Sequence, residues 1–519
     1  VTGVRGGGSR WPNPVLPGFY PDPSVCRVGA DYYLACSSFE YLPGLPLFHS
    51  RDLVRWHPIG HALQRPGQVD LSTVPASGGV FAPVLRHHGG RFWIATSLTS
   101  RPEVVILSSP SATGPWSDPV PVAGAWGIDP DLAWDGDECW LTWAGTEPDG
   151  TYLHQILQAR VDPEEGLLLE EPRPIWSGSG LAYPEAPHLY HVDDWWYLLI
   201  AEGGTERGHA VSVARARRPG GPFEGCPDNP VLSHRSTQRP IQSTGHADLV
   251  RAPDGTWWAL VLGVRPRGGT PQFHVLGRET FLTPVDFRGG WPVPAPVEDH
   301  VDVSWAVDAR DDETVRDDFD EPALAPVWVS PRSRPESFAS TSQRPGWLVL
   351  SATDDGLDGS RPAFVGRRQQ HLACRIRTRV DARRGVGGLA VRIDERHHVA
   401  ILVGDGRVVC RARIGPAEVE VAARAWEEEA VLVVDVSPHA VVPGGLGELP
   451  GPDVVRLAVE RDGVVEVLAE LDGRYFSTEV AGGFTGRVIG MVAERGVCAF
   501  DWFDYEPGPT GNPAGARSS

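Results

Sequence analysis

Asp22, Asp129 and Glu185 each stand eleven residues ahead of the central aromatic of an aromatic-rich segment, and each begins a short apolar stretch that runs into a turn. Carboxyl groups brought together cannot all ionise freely, so their pKa values separate and one keeps its proton near neutrality. An acid and a base then share one cavity. Cleavage of a glycosidic bond needs both, and its inverting form sets two carboxyls roughly 6.5 to 9.5 Å apart with a water between. Binding of Ca2+ or Mg2+ is the competing use of clustered carboxylates, but no loop carries the Asp spacing of an EF-hand.

The element that positions these residues is a repeat. Five times the chain gives a turn and then an aromatic strand: Ala30–Leu34, Gly90–Ile94, Asp137–Leu141, Asp193–Tyr197 and Gly255–Ala259. The central aromatics, Tyr33, Trp93, Trp140, Trp196 and Trp258, are separated by 60, 47, 56 and 62 residues, which suits propeller blades of roughly 40 to 50 residues with long loops. Counting back eleven from each gives Asp22, Ala82, Asp129, Glu185 and Ala247. The first strand of a blade lines the central channel, so equivalent positions form a ring and the three acids converge. The segments Leu53–Trp56, Gly114–Trp116 and Gly221–Phe223 are expected as outer strands.

Composition agrees with an all-β chain of two domains. The 519 residues exceed what one core organises, 60 Gly and 49 Pro favour turns, and no long stretch has helical periodicity. A net charge of −20 argues against nucleic acid and anionic membranes as partners. Seven cysteines without a CxxC read as buried thiols. Val1–Arg10 is Gly-rich without an apolar core and no stretch is long enough to span a bilayer, so the expected location is cytoplasmic.

The run Asn13-Pro14-Val15-Leu16 into Phe19-Tyr20-Pro21-Asp22-Pro23-Ser24, then Gly127-Ile128-Asp129-Pro130, Pro184-Glu185-Ala186-Pro187-His188-Leu189-Tyr190 and Ala201-Glu202-Gly203-Gly204-Thr205-Glu206, resembles glycoside hydrolase family 43, the β-xylosidases and α-L-arabinofuranosidases. The resemblance implies a five-bladed propeller with Asp22 as general base, Glu185 as general acid, and Asp129 as the residue that raises the acid's pKa and orients it. It also implies substrate contacts from Phe39, Phe81, Thr205, His246 and Arg278, with His246 under the sugar and near a central cation or water. Phe81 departs from the family pattern, which has Trp before the Ala-Pro of Ala82-Pro83; Phe keeps a flat apolar face but lacks the indole N–H.

From Asp318 onward alternating strands separated by Gly and Asp turns predict a β-sandwich. Phe500-Asp501-Trp502-Phe503-Asp504-Tyr505 and Gly482-Gly483-Phe484-Thr485-Gly486 resemble the concanavalin-like accessory domain of the family's xylosidases, which implies that Phe484 helps close the pocket. The expected divisions are residues 1–12 as a disordered extension, 13–300 as the propeller, 301–317 as a linker, 318–507 as the sandwich and 508–519 as a disordered tail. The expected activity is inverting, exo-acting release of terminal β-D-xylosyl, and also α-L-arabinofuranosyl, residues from xylo-oligosaccharides or arabinosyl oligosaccharides. It requires no cofactor, with Ca2+ and a homo-oligomer left open. A main arabinofuranosidase activity and a non-catalytic carbohydrate-binding propeller are the alternatives.

Overall fold

The computed structural model describes residues 9–98, 102–306, 315–426, 429–439 and 449–508. The chain divides into two compact units: residues 1–265 with 278–309, and residues 266–277 with 310–519. The first is a five-bladed β-propeller and the second is built on a concanavalin-like β-sandwich.

Each propeller blade is an antiparallel meander. The first blade pairs Ser24–Val28, Asp31–Ala35, Gly44–Ser50 and His57–Leu63 in that order. The fourth begins with Glu185–Val192 and Trp195–Glu202, and the fifth with Gln242–Arg251 and Trp257–Val264. The second and third share one long strand, Val120–Asp135, which pairs with Glu103–Ser109 near its start and with Glu138–Thr146 near its end.

Aromatic and aliphatic residues alternate because both faces of every blade are buried. Tyr32 and Leu34 face the fifth blade, where they meet Val250, Trp258 and Leu260. Their neighbours Tyr33 and Ala35 face the second blade, against Leu85, Phe92 and Ile94. The same exchange joins second to third, third to fourth, and fourth to fifth blade. Five apolar interfaces therefore close the ring, each built from the period-two pleat of its two strands. The segments expected as outer strands are turns instead. Trp116 is buried from its turn between the first two blades, and Trp56 and Phe223 pack in the same way at other junctions; the aromatic ring plugs the gap and the backbone is left free to turn.

The residues at the ends of the propeller depart from the expectation of an extension and a linker. Ser9–Pro12 is a strand paired with His300–Val303, and the Asn13 side chain bonds both ways with the backbone of Leu282. Paired backbone groups and the burial of Trp11, Val301 and Val303 hold this stretch in place. Residues 1–8, 307–314 and 509–519 lie outside the described residues.

Two long strands organise the sandwich. Cys374–Asp394 pairs with Val488–Pro507 along most of its length, with register shifts between 378 and 387. Its first part pairs on the other side with Glu429–Ser437, and its last part with His397–Gly404. One strand thus serves both layers by bending at irregularities, a known way of turning a sheet corner. Leu350, Ile376, Leu389, Ile401, Leu432, Leu457, Met491 and Phe500 form the core between the layers.

Candidate active site

Within or just ahead of the inner strands of four blades stands a residue in the left-handed backbone region: Asp22 at φ 57°, Asp129 at 53°, Ala186 at 48° and His246 at 45°. These are the structurally equivalent positions. The count of eleven from the aromatic meets them in the first and third blades, but lands one residue early in the fourth, on Glu185, and one late in the fifth, on Ala247. The fourth blade's central Trp196 follows its hairpin one place sooner, and the fifth blade's turn after Arg251 is longer. Asp tolerates left-handed backbone better than most residues, which fits its use at two of the four.

Two residues further along the same strands come Ser24, Asp131, His188 and Asp248, all joined to Arg86 of the second blade. Its guanidinium donates to Asp131 at 2.7 Å, to Asp248 at 2.9 Å and to Ser24 at 3.2 Å, and lies 3.1 Å from His188 Nδ1. The Tyr190 hydroxyl donates to Asp248 as well. All five blades meet in this buried cluster, and burial of Asp248 is outweighed by Arg86 and its other partners, so that its pKa falls to about 2.

Above it, Asp22 is buried. Ser37 Oγ donates to its Oδ2 at 2.5 Å, Arg278 donates to its Oδ1 at 3.3 Å, and His246 Nδ1 is 3.5 Å from the same oxygen. Burial alone would raise its pKa; Arg278, His246 and Ser37 together overcome this and hold it below the ordinary carboxylate value. Glu185 goes the other way. Burial, with the charges of Asp22 and Glu206 against the opposing Arg278, raises it to about 7. Asp129 is also pushed up, by burial and by Glu185 and Asp22, although the Ala186 N–H donates to its Oδ2 at 3.2 Å. Glu185 and Asp129 are thus both raised, as an interacting pair, while Asp22 is held toward its ionised form.

The other expected positions in the propeller gather around Arg278. It donates to Thr205 Oγ1 at 2.8 Å and its guanidinium carbon sits 5.5 Å from the centre of the buried Phe39 ring. Phe81 meets Phe39 edge to face at 5.6 Å. His246 is buried, which with the nearby His188, His209 and Arg278 outweighs the pull of Asp22 and lowers its pKa to about 3. It is a neutral imidazole at pH 7. Phe484 belongs to the second unit, half-buried on the loop after a short helix, Thr478–Ala481. No group of three or more His, Cys, Asp or Glu suited to a metal ion occurs among the described residues, and the imidazoles around His246 are poor donors for Ca2+, which takes oxygen ligands.

Four contributors escaped sequence reasoning. Ser37 was visible only as a neighbour of Phe39. His209 lies so close over Gly245 that a side chain there would overlap its ring, and its pKa is lowered to about 4 chiefly by burial. Tyr152 donates its hydroxyl to the carbonyl of Pro184, the residue before Glu185, at 2.6 Å. Glu202 accepts from Ser179 N at 2.7 Å and Oγ at 2.6 Å and so anchors the loop leading to Glu185. A count of two past the left-handed positions would have exposed the Arg86 cluster.

Known proteins share this arrangement of chain and fold. The model of glycosyl hydrolases family 43 matches residues 11–292, and that of the beta xylosidase C-terminal concanavalin A-like domain matches 316–506. The chain belongs to glycosyl hydrolase family 43 and is a glycoside hydrolase. Among its relatives, a non-reducing end alpha-L-arabinofuranosidase of Bacteroides ovatus is 36% identical over 95% of this chain and 94% of that protein. A xylosidase/arabinosidase of Butyrivibrio fibrisolvens is 33% identical over 95% and 98%. The solved structure of a Bacteroides ovatus xyloglucan-locus family 43 protein superposes with a TM-score of 0.86 at 34% identity, covering 96% of this chain and all of that one.

Proposed function

We propose that the enzyme removes terminal β-D-xylosyl residues, and also α-L-arabinofuranosyl residues, from short oligosaccharides with inversion. The opposite proton preferences of Asp22 and Glu185 carry this reading: one carboxyl held ionised and one raised to about 7. Asp22 takes a proton from water, whose oxygen attacks the anomeric carbon on the face opposite the leaving group. Glu185 gives its proton to the departing oxygen. Asp129, which accepts from the N–H of Ala186 next to Glu185, modulates and orients the acid, and Arg278, Thr205, Phe39 and Phe81 line the sugar's place. Inverting acid and base chemistry of this kind needs no cofactor.

A main arabinofuranosidase activity is the second reading, favoured by the 36% identity to the arabinofuranosidase over nearly the whole chain. Rates on xylobiose and on an arabinofuranosyl oligosaccharide decide between the two. Proton NMR of the first-formed sugar tests inversion: initial β-xylose from a β-xyloside would mean retention and remove the role given to Asp22.

A further inference from the structure

Two residues before Glu185, Tyr183 has its backbone in the left-handed region at φ 54° while its side chain is 47% exposed. Such a conformation is strained for a bulky residue and persists only when its surroundings enforce it. Here both flanking carbonyls are tied. Ala182 O accepts from Gly203 N at 2.6 Å, and Pro184 O accepts from the Tyr152 hydroxyl at 2.6 Å. The Tyr152 and His154 rings lie 5.7 and 5.6 Å from the Tyr183 ring, and 4.9 Å from each other. Gly204 is also a neighbour of the ring: a Cβ there would stand in ordinary contact, 3.6 Å from Tyr183 Cδ2. A ring this firmly held and this exposed adds little to the core.

We infer that Tyr183 is a stacking platform for the sugar ring of the leaving group, a neutral pyranose. This rests on the exo-glycosidase reading. A general acid must lie within hydrogen-bond reach of the oxygen it protonates, so the leaving group begins at Glu185 and extends over the residues beside it. The apolar C–H face of a pyranose matches an exposed aromatic face, and aromatic walls are the usual lining of small-molecule sites. Tyr152 and His154 brace the ring. Tyr183 would thus set the preference for sugar over other leaving groups without taking part in the proton transfers.

The test compares Tyr183→Asn and Tyr183→Phe on xylobiose and on β-D-xylosyl fluoride, whose leaving group is a single atom, with the matching arabinofuranosyl disaccharide and fluoride in parallel. Asn accepts left-handed backbone, so it removes the ring without adding strain. Tyr183→Asn is expected to lower kcat/KM on the disaccharide about 5- to 10-fold, mainly through KM, and to leave the fluoride within about twofold. Tyr183→Phe is expected to match the parent enzyme on both. A disaccharide loss carried by kcat with KM unchanged, the fluoride being spared, would assign Tyr183 to the positioning of Glu185 and overturn the platform; equal losses on disaccharide and fluoride would overturn it as well, since the ring would then act on the site as a whole. A parent enzyme that turns over none of the four compounds would instead overturn the exo-glycosidase reading, and the platform with it.

Discussion

Two levels of the propeller channel, one strand step apart, are built from equivalent positions and have opposite electrostatics. In the deeper level Arg86 faces Asp131 and Asp248, Ser24 and Tyr190 donate to Asp248, and Leu189 N donates to Asp131 at 2.8 Å. In the upper level Arg278 faces Asp22, Asp129 and Glu185 and donates to Asp22. One cation among three acids cannot keep them all ionised. The shortage of positive charge leaves the Glu185 and Asp129 pair raised, whereas Asp248 in the level below is lowered by its partners. Neighbouring positions on the inner strands therefore give a fixed strut in one level and a carboxyl suited to the proposed acid role in the next, according to how many partners are supplied.

Removing the charged base should have the largest effect. Asp22→Asn is expected to reduce kcat on an aryl xyloside or aryl arabinofuranoside about 10⁴-fold, the upper range for loss of general base catalysis, with little change in Tm; near-parental turnover would remove Asp22 from the mechanism. Glu185→Gln should cost roughly 10²- to 10³-fold on substrates with poor leaving groups and far less on glycosyl fluorides, which need no protonation. Its pH profile is the sharper measurement. Glu185 must be protonated to act, so parental kcat/KM is expected to decline as pH rises through about 7, and this limb should vanish in Glu185→Gln.

The difference between the levels also explains what the sequence made legible. Blade number, the two units and the positions of Asp22 and Asp129 follow from the spacing of aromatic hairpins, because a propeller repeats its strand pairing and a repeat survives in the sequence; Glu185 lies one place beside that register and is marked by its Pro184-Glu185-Ala186-Pro187 motif. The deeper level was hidden by the register: Trp196 misplaces the fourth blade by one residue, so His188 does not line up with Asp131 until the backbone angles are known. Ser37 and Tyr152 were hidden for another reason. Ser37 lies in the loop after Asp31–Ala35 and Tyr152 begins the strand Tyr152–Asp162, and each reaches across to another segment by a path that no periodicity encodes.

Breaking the deeper level should change stability more than chemistry. Arg86→Met leaves Asp131 and Asp248 buried without their cation, which is expected to cost about 3–5 kcal/mol, read as a lower midpoint in urea. Asp248 has a depressed pKa in the folded protein, so its contribution is present above its ordinary value of 3.8 and is lost as pH falls through about 2. The deficit of Arg86→Met should accordingly be full at pH 7 and shrink in acid. A midpoint equal to that of the parent at pH 7 would mean that the five-blade cluster adds nothing to the ring.

Ser37→Ala offers the smallest and most discriminating change, because it removes one donor from Asp22 and leaves Arg278 and His246 in place. A hydrogen bond to a charged group contributes about 1.5–3 kcal/mol, and its loss raises the pKa of Asp22 toward the ordinary value. Asp22 must be ionised to accept a proton from water. The acidic limb of kcat/KM is therefore expected to move to higher pH, while the limb set by Glu185 stays near 7 and the rate at the optimum falls only a few-fold. Were Ser37 merely a packing residue, kcat would fall without movement of either limb; were the two carboxyls interchangeable in role, both limbs would move together. Displacement of the acidic limb alone is the outcome that ties the ionised form to Asp22.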